Sequence, residues 1–142
     1  MLGVGQRFSV VPGTYAVCRL PAKVPLPPWA GKAFTSITRT ADELSIVCEE
    51  RRLPGDLGVL DFQVDRGWVL LRLQGPFPLN AIGVLASVAK PLAEAAISLF
   101  ALSTFETDYI LVKRTHAKQA IAALTLAGHK LVETGSGAFR RS

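Results

Sequence analysis

The sequence Ala101-Leu-Ser-Thr-Phe-Glu-Thr-Asp-Tyr-Ile-Leu-Val112 decides the fold, because a degenerate copy of it lies earlier in the chain. The earlier copy is Ser36-Ile-Thr-Arg-Thr-Ala-Asp-Glu-Leu-Ser-Ile-Val47, in which Glu43 aligns with Asp108. Each copy combines a strand, a polar turn with an acid and an apolar strand, which is typical of a β-hairpin. The internal repeat predicts that one structural unit is used twice.

A second match precedes each hairpin, but the segment between strand and hairpin differs. The strand Tyr15-Ala-Val-Cys-Arg-Leu20 aligns with Trp68-Val-Leu-Leu-Arg-Leu73. In the second copy, residues 80–95 have helical spacing of apolar residues, with Asn80 as the expected N-cap. In the first copy, residues 21–31 contain four prolines, which leave room for at most one helical turn. The first unit is therefore predicted to be a shortened relative of the second.

The second copy is predicted to have the order β-α-β-β-α-β, a ferredoxin-like arrangement. Pro91 is expected to bend its first helix, and Thr115 to begin a second helix that ends at Gly128 as C′. Residues 129–133 are expected to return as a last strand. The residues predicted on the buried helix faces are Ile82, Leu85, Val88, Ala89 and Leu92 in the first helix, and Ala117, Ala120, Ile121 and Leu124 in the second.

The predicted fold is α+β, with two ferredoxin-like units in tandem, antiparallel sheets and helices packed on one face. Residues 1–65 form the shortened N-terminal unit, which breaks at 55–58 and closes with a strand at 60–64. Residues 66–134 form the complete unit, with the boundary near Asp65-Arg-Gly67. Residues 135–142 are small, polar and basic, and are expected to form a flexible tail.

Composition predicts assembly and excludes a membrane span. Of the 142 residues, 49% are hydrophobic, and the mean hydropathy is +0.32. Two small units with this much apolar surface are expected to share an interface, most simply as a homodimer. No apolar run reaches the ~18 residues that a spanning helix needs. The N-terminus lacks the features of a signal peptide, so we expect a cytoplasmic protein.

Nucleic-acid binding and catalysis are both disfavoured. The net charge of +5 comes from basic residues that are scattered among acids, without a basic helix or an RNA-recognition motif. A weak nucleic-acid binder stays an alternative. His116 and His129 have no adjacent nucleophile or carboxylate, so no catalytic residues are predicted. His129 is instead expected to act as a cation at a helix C-terminus.

The two cysteines do not indicate a metal site, and no cofactor is expected for the chain. Cys18 and Cys48 lie on predicted strands among apolar neighbours, without metal-ligand spacing. We expect two buried thiols that act as small hydrophobic groups. A disulfide across the sheet is the alternative.

The order of a strand, Gly83-Val-Leu85 near a helix start, Pro91-Leu-Ala-Glu-Ala95 and the Ser103–Val112 hairpin resembles the ACT domain. More narrowly, the chain resembles small prokaryotic tandem-ACT proteins related to the CASTOR arginine sensors, most strongly from Trp68 to Ala127. The resemblance implies a regulatory module that binds an amino acid or another small effector. It also implies that Thr104, Phe105 and Asp108 line a pocket whose remaining wall comes from the first copy or from a second subunit.

Free amino acids carry a carboxylate and an ammonium group, and both must be matched when the molecule leaves water. Backbone N–H groups at the predicted helix start suit the carboxylate, and Gly83 permits close approach. Asp108 suits a cationic group, Thr104 offers a hydroxyl and Phe105 offers an apolar wall. The predicted ligand-binding residues are Asn80, Ile82, Gly83, Val84, Leu85, Thr104, Phe105 and Asp108. Each has a purely structural alternative, so an ACT protein that only mediates assembly, without a ligand, is the rival prediction.

Overall fold

The computed structural model describes residues 5–55, 61–78 and 80–133, and this part of the chain has an α+β fold. Its strands are β1 Arg7–Leu20, β2 Thr35–Arg39, β3 Leu44–Glu49, β4 Gln63–Leu73, β5 Leu99–Ser103, β6 Asp108–Lys113 and β7 Lys130–Leu131. Its helices are α1 Val84–Glu94 and α2 Ala117–Leu126, and short 3₁₀ turns follow β3 and β6. The predicted tail at 135–142 lies outside the described residues, as does most of the break predicted at 55–58.

The chain divides into two compact units that are not consecutive in sequence. Gly13–Trp68 forms one, which we call the inserted unit, and residues 5–12 group with 69–133 in the other, the outer unit. The division predicted at residue 65 differs from this one chiefly in the placement of residues 5–12.

The predicted boundary near Asp65–Gly67 does not separate two strands. It falls inside β4, so the strand expected at 60–64 and the one expected at 68–73 are a single element over the described residues. Gly67 has a φ of +81°, and a glycine adopts that conformation without ending the strand. Position 60, where the closing strand was expected to begin, lies outside the described residues.

The outer unit has both helices on one face of its strands, as predicted. Its strands lie in the order β7, β1, β4, β6, β5. The β5–β6 pair is antiparallel, whereas the short β7 runs parallel to β1 and pairs with Arg7 and Phe8. Because side chains alternate along a strand, every second residue faces the helices. The core so formed contains Phe8, Val10, Leu71, Leu73, Val88, Leu92, Ile97, Ile110, Val112, Ala120 and Leu124.

Two predictions about the start of α1 are wrong. Asn80 is not the N-cap, because Ala81 N–H donates to the Pro78 carbonyl in a turn and helical geometry begins only after Gly83. Gly83 is the N-cap, with a φ of +82°. Since Ile82 precedes the helix, it lies on no helical face and is 88% exposed. Pro91 lies inside the helix, as expected.

The end of α2 confirms the prediction for Gly128. This glycine has a φ of +100°, and its N–H donates to the Thr125 carbonyl at 3.0 Å. His129 N–H donates to the Leu124 carbonyl at 3.0 Å, which completes a Schellman motif. The His129 ring is not the expected cation, because its Nδ1 accepts the Gln6 N–H at 2.8 Å while Nε2 lies 2.7 Å from the Ser87 carbonyl oxygen. A ring nitrogen that accepts a hydrogen bond carries no proton.

The inserted unit has the antiparallel strand order β2, β3, β1, and the described residues 21–34, which lie at the position of α1, form no helix. The proline-rich segment at 21–34 forms turns whose Val24, Trp29 and Ala30 pack on the strands. The prediction of a shortened segment is confirmed.

Cys18 and Cys48 are free thiols buried in the inserted unit, as favoured from the sequence. They lie on the paired strands β1 and β3, where Cys18 faces Ile46 and Cys48 faces Ala16. A hydrogen bond with Cys48, together with burial, raises the pKa of the Cys18 thiol.

The two hairpins share one design, in a register that differs from the sequence alignment by one residue. Each has a five-residue strand, a four-residue turn and a six-residue strand. Thr40 N–H donates to the Glu43 carbonyl at 2.9 Å, and Thr104 N–H donates to the Thr107 carbonyl at 2.8 Å. Superposing the turns therefore places Leu44, not Glu43, at the position of Asp108. The inserted unit therefore has a leucine, and no acid, at that position. Leu44 is fully buried.

Candidate ligand-binding site

A pocket of about 310 Å³ lies in the outer unit between the start of α1 and the β5–β6 turn. Six of the eight predicted ligand-binding residues line it: Gly83, Val84, Leu85, Thr104, Phe105 and Asp108. Asn80 and Ile82 do not line it. The other lining residues are Phe77, Pro78, Ala81, Ala86, Ser103, Glu106 and Thr107.

The start of α1 supplies one chemical end of the pocket. The first N–H groups of a helix have no intrahelical partner and lie at the positive end of the helix dipole. Those of Val84, Leu85 and Ala86 belong to this group, and Gly83 provides no capping side chain. Ser87 N–H is the first to be bonded within the helix, to the Gly83 carbonyl at 2.9 Å. An anionic group suits this end of the pocket.

The β5–β6 turn supplies an acidic end. Asp108 is half-buried, and its Oδ1 accepts a hydrogen bond from the Ser103 hydroxyl at 2.6 Å. Glu106 adds a second carboxylate to the lining, and no Lys, Arg or His is among the described residues that line the pocket. This end of the pocket therefore favours a cationic group.

The threonine hydroxyls of the turn are engaged in holding it. Thr104 Oγ1 lies 3.2 Å from the Thr107 carbonyl oxygen and 3.3 Å from Thr107 N. Thr107 is buried, and its hydroxyl donates to the Leu73 carbonyl of β4 at 2.7 Å. Thr104, which sequence reasoning took as a hydroxyl for a ligand, thus already has a partner within the turn.

Residues 75–78 contact the β5–β6 turn, and the sequence analysis did not predict that they belong to the site. Phe77 N–H donates to the Glu106 carbonyl at 2.6 Å, and Phe77 lines the pocket. A Cβ on Gly75 would lie 2.9 Å from the Glu106 carbonyl oxygen and 3.0 Å from Thr107 Cβ. The run Gly75-Pro-Phe-Pro78 was the available signal, because a glycine in such a run often marks close backbone approach.

The side chain of Phe105 is more exposed to solvent than we expected for an apolar wall of the pocket. It is 76% exposed at the rim of the pocket.

The residues the structure describes contain no cluster of three or more His, Cys, Asp or Glu side chains that could hold a metal ion. None of the helices described here has the length and apolar character to cross a bilayer.

Comparison with known proteins agrees with this architecture. The family model of the ACT domain matches residues 63–125, which include the whole pocket. The chain is a small ACT-domain protein related to the CASTOR family. A second family model, described as an N-terminal domain, matches residues 13–56.

The proteins similar to this ACT protein include a chain of about the same length and much longer chains. It is 33% identical over 84 residues to the bovine cytosolic arginine sensor for mTORC1 subunit 1, a match that covers 56% of this chain and 25% of that relative's length. The crystal structure of protein Atu0741 from Agobacterium tumefaciens is 40% identical, with a TM-score of 0.80 over 90% of this chain and 92% of that one. Aspartate kinase of Clostridium acetobutylicum shares the fold at 13% identity, with a TM-score of 0.64 over 89% of this chain and 35% of that one.

Proposed function

We propose that this ACT protein is a non-catalytic regulatory module that binds a free amino acid in the pocket between α1 and the β5–β6 turn. One observation carries the proposal: a helix N-terminus and the Asp108 carboxylate line the same pocket. The first suits a carboxylate and the second an ammonium or another cationic group, so the two ends match a zwitterion.

The relatives support a regulatory role. The bovine relative is named an arginine sensor, and the Clostridium kinase that shares the fold is described as an allosteric enzyme. Regulation fits a pocket of this kind, because an effector needs selective binding and no reacting group.

A screen of the twenty amino acids by thermal shift tests the proposal. An amino acid that binds only the folded state raises the melting temperature as its concentration exceeds Kd. If none does so, the rival assignment, an ACT protein that mediates assembly without a ligand, gains support. A salt-dependent gel shift with nucleic acid would instead favour the weak nucleic-acid binder.

Replacing Asp108 by Ala should strongly weaken binding of the best amino acid from that screen. Loss of a charge-assisted contact to a bound cation costs roughly 2–5 kcal/mol, or about thirtyfold or more in affinity. The free energy of unfolding should fall far less, by about 0.5–1 kcal/mol. Isothermal titration calorimetry and urea unfolding of the same variant measure the two effects.

Asp42→Ala is the matched control, because Asp42 is an exposed acid in the turn of the other hairpin. It should leave affinity unchanged. Equal affinity of Asp108→Ala and wild type would mean that Asp108 is only a turn residue and that the site lies elsewhere.

We also propose that the protein is a cytoplasmic homodimer. The cytosolic sensor among its relatives and the high apolar content support this assignment. Light scattering at micromolar concentration should give twice the 15.2 kDa mass of the chain. A monomer under those conditions would contradict the proposed assembly.

A further inference from the structure

We infer that Ser103 is a positioning residue, which holds the Asp108 carboxylate in the orientation that a ligand meets. The inference rests on the proposed function, because it assigns Ser103 a role in the affinity of the same pocket. Ser103 was not among the residues predicted from the sequence.

The geometry joins the two side chains directly. Ser103 and Asp108 are register partners on β5 and β6, and both line the pocket. The Ser103 hydroxyl donates to Asp108 Oδ1 at 2.6 Å, within the short range of charge-assisted O–H···O⁻ bonds. This bond leaves Oδ2 and the remaining lone pairs of the carboxylate for another donor.

The other hydroxyls of the turn do not perform this task. Those of Thr104 and Thr107 are bonded to carbonyl oxygens, that of Thr104 within the turn and that of Thr107 to Leu73 on β4. By contrast, the hydrogen bond that the Ser103 hydroxyl donates is accepted by the Asp108 carboxylate.

The hairpin of the inserted unit shows that the pair is not needed to form the turn. That hairpin has the same strand and turn lengths, and its turn is closed by the same threonine bond. Arg39 and Leu44 stand there as the register partners that correspond to Ser103 and Asp108. Since an equivalent turn forms without a serine–aspartate pair, the pair serves the pocket rather than the hairpin.

A fixed carboxylate binds more tightly than a mobile one. A solvent-accessible aspartate side chain rotates among staggered χ1 wells, and a ligand must select one of them. The Ser103 hydroxyl makes that selection before binding. Its removal therefore weakens binding without removing any charge from the pocket.

The first test uses the protein without ligand. Three-bond NMR couplings of Asp108 should report one χ1 rotamer in the wild type and in Ser103→Thr, and averaging in Ser103→Ala. Ser98→Ala is the matched control, because Ser98 is an exposed serine just before β5 that does not line the pocket. A single unchanged rotamer in Ser103→Ala overturns the inference, whether or not an amino acid binds.

The second test measures affinity, with L-arginine as the probe. Ser103→Ala should weaken binding by roughly threefold to thirtyfold, Ser103→Thr should restore it, and Ser103→Ala should change nothing further in an Asp108→Ala background. An equal loss in both backgrounds overturns the inference, because Ser103 would then act independently of Asp108. If the wild type does not bind L-arginine, the proposed function loses support for arginine as the bound amino acid. The rotamer measurement then decides the role of Ser103 by itself.

Discussion

At the scale of single residues, the chemistry of the pocket was easier to predict than its geometry. Asp108 could be singled out because an acid in a polar turn between apolar strands is conspicuous in the sequence. Its partner Ser103 could not, because the sequence pattern does not fix where the turn begins and ends, and so does not say which residue of β5 lies opposite Asp108 on β6.

Helix ends show the same limit of residue-level prediction. Gly128 could be assigned to the end of α2 because glycine tolerates positive φ. The end of α1 has the same hydrogen-bond pattern, with Ala96 N–H donating to Ala93 and Ile97 N–H donating to Leu92. Ala96 holds a φ of +61°, and nothing in its residue type indicates that conformation.

We predict that Ala96→Gly stabilises the protein. The left-handed conformation costs a residue with a Cβ roughly 1–2 kcal/mol, part of which glycine loses again through its greater freedom in the unfolded chain. The net gain in the free energy of unfolding should be about 0.5–1 kcal/mol. Urea unfolding measures it, with Ala93→Gly inside α1 as the control that should lower stability by about 1 kcal/mol. Equal losses in both variants would contradict the strain assigned to Ala96.

At the scale of elements, hairpins and helices follow from sequence pattern, whereas the two long strands do not. The prolines of 21–34 excluded a helix, and the spacing of Ala117, Ala120 and Leu124 indicated the buried face of α2. In contrast, β1 and β4 each continue through a glycine with positive φ, Gly13 and Gly67. Glycine in a strand pattern is ordinarily read as an interruption, so both strands were predicted too short.

The element that supports the binding turn provides a further prediction. We expect Gly75→Ala to displace the β5–β6 turn, because the added Cβ would lie 2.9 Å from the Glu106 carbonyl oxygen, a backbone atom. The free energy of unfolding should fall by about 1–3 kcal/mol, as for other over-packed sites, and amino-acid affinity should fall with it. Gly55→Ala is the control, because a Cβ there meets no atom within 4 Å. Wild-type stability and affinity in Gly75→Ala would show that the turn does not depend on this close approach.

At the scale of the whole molecule, the repeat indicated two units but not how the chain is shared between them. Strand pattern reports which residues form a strand and says nothing about distant hydrogen-bond partners. The N-terminal residues illustrate this: Gln74 N–H donates to the Arg7 carbonyl at 2.7 Å, and Val132 N–H donates to the Phe8 carbonyl at 2.7 Å. These bonds and the one from Gln6 N–H to His129 tie residues 5–12 to the C-terminal part of the chain.

The division into units is tested by cutting the chain where the sequence suggested. A fragment of residues 66–142 loses Phe8 and Val10, which are 0% and 5% exposed in the outer core. Each large buried side chain contributes about 1.5–3 kcal/mol, and the strand hydrogen bonds are lost as well, which is a large part of the 5–15 kcal/mol available to a typical domain. We therefore expect the fragment to lack a cooperative urea transition by circular dichroism. A second variant, in which a flexible Gly/Ser linker replaces Gly13–Trp68, keeps residues 5–12 and should recover that transition. Cooperative unfolding of 66–142 alone would instead support two consecutive, independent units.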